Sequence, residues 1–198
     1  MMRISFKPNT TGKVVMILTV AIVVAVILFR KRKAIKAITT DAINYLKMKT
    51  WDIYTDRRIN TLHPKIRAKA KEFIIRAEKE LGIKLRVTSG FRTWEEQTEL
   101  YNKGRISPGK RVTNAKAGQS YHNYGLALDV VEIKNGKAIW NNPNWKRIAD
   151  IGKSLGFEWG GDWKFIDKPH FQMRFGKHHT ELAKLYRSGE REGKYILI

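Results

Sequence analysis

The sequence predicts an α+β fold: a small single domain of mixed helices and hairpin strands, preceded by one N-terminal transmembrane helix. Three observations predict it. Residues 14–29, VVMILTVAIVVAVILF, carry no charge and lie between Lys13 and Arg30. Residues 64–81 place Ile66, Ala70, Phe73, Ile74, Ala77 and Leu81 at helical spacing. Residues 127–140, ALDVVEIKNGKAIW, read as two strands around Asn135-Gly136, a two-residue hairpin turn.

As a helix, the first segment spans about 24 Å against a hydrocarbon core of ~30 Å, and basic flanks can reach the interface. It is apolar on every face, which argues against a core helix. The rival is a cleaved signal peptide. The run ends in FRKRKAIK without a small-x-small site, which favours an uncleaved anchor. The expected organisation is a basic segment at 1–13, the anchor at 14–29, a basic linker at 30–54 and a domain at 55–198. The linker reads as helical over KAIKAITTDAINYLKMK.

The helix at 64–81 has Pro64 in its first turn and Gly82 at its stop. KLRVTSG is a short strand. Thr93 and Glu96 form a capping-box pattern opening a helix that runs towards Gly104. NNPNWKRIADIGKSLG is a helix with Pro143 near its start. KPHFQM is a late short strand, and His178 and His179 open a last helix. No regular βαβ alternation is present, hence α+β.

Lys and Arg number 39 against 18 Asp and Glu, for a net charge of +21. Residues 1–50 hold ten of these cations and one acid, and the rest of the chain is basic too. Such a balance draws the chain to polyanions: nucleic acid, anionic lipids or anionic wall polymers. Nucleic acid is the least favoured, since no recognition helix or aromatic RNA motif is present. The absence of cysteine excludes disulfides, thiolate nucleophiles and Cys-ligated zinc.

Asp129 interrupts the apolar run LALDVVEI, and a buried carboxylate is costly unless paired or bound to a metal. His122 lies seven residues before it and His170 opens the late strand. Two imidazoles and a carboxylate are a ligand set for catalytic Zn²⁺ with one position left open, and they also suit non-haem iron. Asp167, three residues before His170, is placed to act as general base and acid. Arg92, after a strand and before a capped helix, is placed to hold a carboxylate or an oxyanion. Each also has an ordinary reading: surface or core histidines, a turn aspartate, a helix-edge arginine.

Three stretches in order, SGFRTWEEQTELY, SYHNYGLALDV and DKPHFQM, resemble the motifs of the VanY-like family of zinc D,D-carboxypeptidases and L-alanyl-D-glutamate endopeptidases. The central pattern Ser-x-His-x-x-Gly-x-Ala-x-Asp is met by Ser120, His122, Gly125, Ala127 and Asp129. The acid-x-x-His pattern is met by Asp167 and His170. The stretch NPNWKRIADIGKSLGFEWGGDW resembles the phage endolysin branch, and the likeness covers about residues 55–176. It implies an antiparallel sheet carrying a metal site, with Zn²⁺ on His122, Asp129 and His170. It implies Asp167 as base and acid, Arg92 as substrate or oxyanion binder, and Ser120 and Gln97 lining the site. The implied activity is cleavage of peptidoglycan stem peptides, as an L-alanyl-D-glutamate endopeptidase. The alternatives are a D-alanyl-D-alanine carboxypeptidase or a non-catalytic wall-binding domain. The substrate then places the domain on the outer side of a membrane, whereas Arg30, Lys31, Arg32, Lys33 and Lys36 outweigh Arg3, Lys7 and Lys13 and favour the cytoplasmic side.

Overall fold

Five short strands, all antiparallel, form the sheet that carries the site. The structure is a computed structural model that describes residues 27–32 and 49–198. Lys49–Ile198 make one compact unit. Its elements in order are α1 (Ile53–Asn60), α2 (Pro64–Leu81), β1 (Leu85–Ser89), α3 (Trp94–Asn102), β2 (Ala127–Lys134), β3 (Lys137–Ile139), α4 (Trp145–Ser154), β4 (Glu158–Trp159), β5 (His170–Gln172), α5 (His179–Arg187) and a small hairpin of β6 (Arg191–Glu192) and β7 (Tyr195–Ile196).

Strand β2 is the centre. One edge pairs with β1, and the other pairs with β5 over Ala127–Asp129 and with β3 over Glu132–Lys134. Asn135 and Gly136 turn β2 into β3 with φ of 51° and 73°, the left-handed pair that a two-residue hairpin demands. Leu126, Leu128 and Val130 alternate into the core, so Asp129 points to the opposite face. Helices α2 and α4 cover the core face. Phe171 is fully buried there, its ring 4.7 Å from that of Phe73. Gly152 of α4 presses close to it: a Cβ would sit 2.7 Å from the Phe171 ring. Truncating such a side chain costs about 3–5 kcal/mol, and Phe171 sits between His170 and Gln172 in β5. Core packing therefore fixes the strand that carries the site.

The helix ends are capped, at α2 and α3 where the sequence signals lie and at α1 where none was read. Asp52 caps α1 by accepting from Thr55 N at 3.2 Å, and both its oxygens meet Arg86 of β1, at 2.8 and 3.0 Å. His63 caps α2 by accepting from Lys65 N, and Gly82 closes it with φ 68°. The capping box of Thr93 and Glu96 opens α3, which ends at Asn102.

The transmembrane part of the expected fold is corrected. No helix among the described residues is long and apolar enough to cross a membrane. Of residues 14–29 only Ile27, Leu28 and Phe29 are described, in a helical stretch that continues through Arg30, Lys31 and Arg32. Those six residues rise about 9 Å, against the ~30 Å a span requires, and half of them are cations. Residues 14–26 and the helix expected over 33–48 lie outside the described residues.

Candidate metal centre

Asp129 answers the puzzle of a carboxylate inside an apolar strand. It stands in register with His170 of β5 on one side and with Ser89 of β1 on the other. A register shift between Val87 and Ser89 opens β1 beside it. His122 arrives from a 3₁₀ turn, Tyr121–Tyr124, whose N-cap is Ser120 and whose C-cap is Gly125. Gly125 has φ 67°, and a Cβ there would lie 2.7 Å from His63 N, so a tight turn and a close approach both require glycine. Asn123, fully buried, donates to Arg92 O and Thr93 O and so ties this turn to the loop before α3.

Three side-chain atoms converge. His122 Nε2 is 3.2 Å from Asp129 Oδ1 and 3.3 Å from His170 Nδ1, and His170 Nδ1 is 3.0 Å from the same Oδ1. The far nitrogens settle the tautomers. His122 Nδ1 lies 2.7 Å from the Gly90 carbonyl, which can only accept, so Nδ1 carries the proton. Gln172 donates its amide to Glu158 Oε2 at 3.1 Å, leaving Oε1 to accept from His170 Nε2 at 3.0 Å. Arg174 in turn holds Glu158 at 2.7 Å. Both imidazoles thus present lone pairs inward.

This donor set fits a metal ion. Three lone pairs packed this closely repel unless a cation lies between them. A tetrahedral ion with ligand bonds of about 2.0–2.1 Å has edges of about 3.3 Å, which the observed triangle approaches. Among the described residues, His122, Asp129 and His170 are the group suited to hold a metal. Burial alone would raise the Asp129 carboxyl, but His122 and His170 overcome it and hold Asp129 well below the usual carboxylate range. Burial opposes charge on His170, yet Asp129, Gln172 and Asp167 raise its pKa, so protons compete with metal for these atoms.

The surrounding pocket of about 200 Å³ is lined by Arg92, Ser120, Trp163 and Asp167 along with the three candidate ligands. Asp167 is held by a tight turn: its N–H donates to Gly160 O and its carbonyl accepts from His170 N. Gly160 approaches so closely that a Cβ would lie 2.4 Å from Asp167 O. Although Asp167 keeps contact with solvent, burial of its carboxyl raises its pKa; His170 and His122 pull it back and Asp129 adds to the rise. Arg92 donates to Gln97 Oε1 and Ser89 Oγ, both at 2.9 Å, and stands 4.0 Å from Asp129 Oδ2. Asp129 therefore turns one oxygen to the histidines and the other towards Arg92.

The structure brings six of the seven expected residues to the pocket wall. Gln97 is placed differently. It is fully buried behind Arg92 and donates to Ala115 O, so it orients the guanidinium and does not line the pocket. Sequence reasoning missed Gln172, Glu158 and Gly90. Gln172 had a signal: it stands two residues after His170 in a strand, on the same face.

A two-histidine, one-carboxylate set with an adjacent acid and arginine fits a metal-dependent hydrolase. A family model described as D-alanyl-D-alanine carboxypeptidase matches residues 113–173, which include all three candidate ligands and Asp167. The chain is 46% identical over 123 residues to the peptidoglycan L-alanyl-D-glutamate endopeptidase CwlK of Bacillus subtilis (strain 168), covering 57% of this chain and 73% of that protein. It is 32% identical over 127 residues to the L-alanyl-D-glutamate peptidase of Listeria phage A118, covering 62% of this chain and 42% of that one. The solved L-Ala D-Glu endopeptidase ChiX of Serratia marcescens overlaps 66% of this chain and 93% of its own, at 25% identity and a TM-score of 0.45. The chain belongs to the VanY-like family of D,D-carboxypeptidases and L-alanyl-D-glutamate endopeptidases, metallopeptidases of peptidoglycan.

Proposed function

We propose that the protein hydrolyses the L-alanyl–D-glutamate bond of peptidoglycan stem peptides, with zinc held by His122 Nε2, Asp129 Oδ1 and His170 Nδ1. The observation that carries this reading is the triangle of three lone-pair donors beside Asp167 and Arg92. The relatives named as L-alanyl-D-glutamate peptidases support the choice of bond. Bound zinc supplies a Lewis acid that makes water more acidic and polarises a carbonyl.

The chain's own residues do the rest. Asp167, with its raised pKa, takes a proton from the attacking water as the water oxygen bonds to the alanyl carbonyl carbon. When the C–N bond breaks, Asp167 returns that proton to the departing amine of D-glutamate. Arg92, braced by Gln97 and Ser89, donates to the developing oxyanion or to a substrate carboxylate. Trp163, whose ring lies 5.1 Å from that of His170, shields one side from bulk water.

Product analysis on defined muropeptides tests the reading. A free α-carboxyl on L-alanine with a new amine on D-glutamate supports it. Release of terminal D-alanine alone would instead support carboxypeptidase action, the second reading, which the family model's description favours. Attraction to anionic wall polymers is the further expectation from a net charge of +21; it should weaken as salt rises.

A further inference from the structure

Val112, Thr113 and Ala115 form part of the metal pocket's wall. They belong to residues 103–116, which lead from α3 towards the 3₁₀ turn that carries His122. Among the described residues, Val112–Ala115 make no backbone-to-backbone hydrogen bond. Side chains must therefore place this wall, and two do so. Gln97 Nε2 donates to Ala115 O at 2.7 Å, while its Oε1 accepts from Arg92. Arg105 is the second support. Its Nη1 donates to Thr113 O at 3.0 Å and also to Tyr101 O of α3, and its Nη2 donates to Asn114 Oδ1 at 2.9 Å. The guanidinium carbon stands 4.1 Å from the centre of the Tyr101 ring, a cation–π contact. A reversal of the chain brings these partners within reach: Gly104 N donates to Ser107 O at 2.8 Å, and a Cβ on Gly104 would lie 2.6 Å from Arg111 N.

We infer that Arg105 is a positioning residue of the peptidase site: it fixes the Val112–Ala115 wall against which the substrate peptide binds. The inference rests on the endopeptidase reading for the identity of that substrate. Residues 103–116 hold five cations and no acid, but charge is not what Arg105 contributes. Its three acceptors are two carbonyls and an amide oxygen, all neutral. A planar fork spans them at once, whereas a single ammonium on a flexible stem cannot. Gln97 grips the wall and Arg92 together, so it bears on both binding and the oxyanion. Arg105 grips the wall and α3. Its loss should weaken substrate binding and leave the chemical step unchanged, which is a rise in KM at constant kcat. An arginine that merely stabilised the fold would give the reverse, since an inactive fraction of chains lowers the apparent kcat and leaves KM alone.

The test uses the zinc-loaded full chain and a defined muropeptide carrying L-Ala-D-Glu. Arg105→Lys keeps the charge and loses the fork. It should raise KM about tenfold, the scale of one lost charge-assisted hydrogen bond, with kcat within about twofold of wild type. Lys110→Ala removes a neighbouring cation and should leave both constants within about twofold. Zinc retention after dialysis should match wild type in both variants. In an Asp167→Ala background, where the muropeptide is bound but not cut, calorimetry should show the same tenfold loss of affinity on adding Arg105→Lys. Three results would overturn the positioning role while leaving the endopeptidase reading intact: a lower kcat at unchanged KM, loss of zinc with Arg105→Lys, or an equal rise in KM with Lys110→Ala. If Arg105→Lys weakens binding tenfold, yet wild type leaves the L-Ala–D-Glu bond whole, the endopeptidase reading falls and the positioning role stands.

Discussion

The two candidate histidine ligands reach the same point by different means. His122 is oriented by a backbone carbonyl, that of Gly90, in a loop tied down by the buried Asn123. His170 is oriented by a chain of side chains, Gln172 to Glu158 to Arg174. A peptide carbonyl cannot be removed by substitution, whereas a side-chain relay can be cut at any link. The His170 half should therefore be the vulnerable half of the centre.

The largest effects treat both halves alike. His122→Ala or His170→Ala should each abolish zinc retention and peptidoglycan cleavage. Metal analysis after dialysis checks this, and stoichiometric zinc in either variant would break the symmetry assumed for the ligands. Next, Asp167→Ala should lower kcat by roughly 10²–10⁴-fold with zinc still bound. Loss of zinc along with activity would make Asp167 a ligand and put three contributors on the His170 side.

Gln172→Leu separates the halves. It removes the acceptor for His170 Nε2–H, so zinc affinity should fall about 10–100-fold in competition with a chelator, while folding is retained. Gly90→Ala is the matched probe on the other half. The added Cβ would lie 3.0 Å from Arg58 O, a tight but not prohibitive contact, so it should reduce stability more than it reduces zinc affinity. An equal loss of affinity in both variants would erase the distinction.

The same contrast recurs at a smaller scale away from the centre. His63, buried, accepts from Lys65 N through Nδ1 and donates to Ile196 O through Nε2. Burial lowers its pKa; the Ile196 carbonyl opposes this, and Lys65 and Arg67 add to it. A histidine whose folded pKa is depressed contributes stability above its unfolded value, near 6.5, that is lost as pH falls through the folded value. The difference in Tm between wild type and His63→Asn should narrow from pH 7.5 to pH 5, and a constant gap would sink this reading.

Local signals carried much of the architecture. Pro64 and Gly82 bracket α2, Thr93 and Glu96 cap α3, and Asn135-Gly136 turns the hairpin, because each acts within a few residues. The grouping of His122, Asp129 and His170 was anticipated through the resemblance of their motifs rather than by spacing alone, and a fold-wide register brings the three side chains together. Less was legible where the cause lies across the sheet. Gln97 looked like a site residue, but its amide is taken up by Ala115 O. Glu158 reaches Gln172 only because β4 pairs with β5, and a two-residue strand carries almost no periodic signal. The β6–β7 hairpin escaped for the same reason, since each of its strands is two residues long.

Asp129 shares its carboxylate between the histidine pair and Arg92. Charge drawn towards one side is withheld from the other, so occupancy of the two sides is thermodynamically linked, and the linkage is reciprocal. A substrate that recruits the guanidinium will shift the metal's dissociation constant, and loading the ion will shift the Michaelis complex by the same factor. Affinities measured with only one of the two present will differ from those the working enzyme experiences.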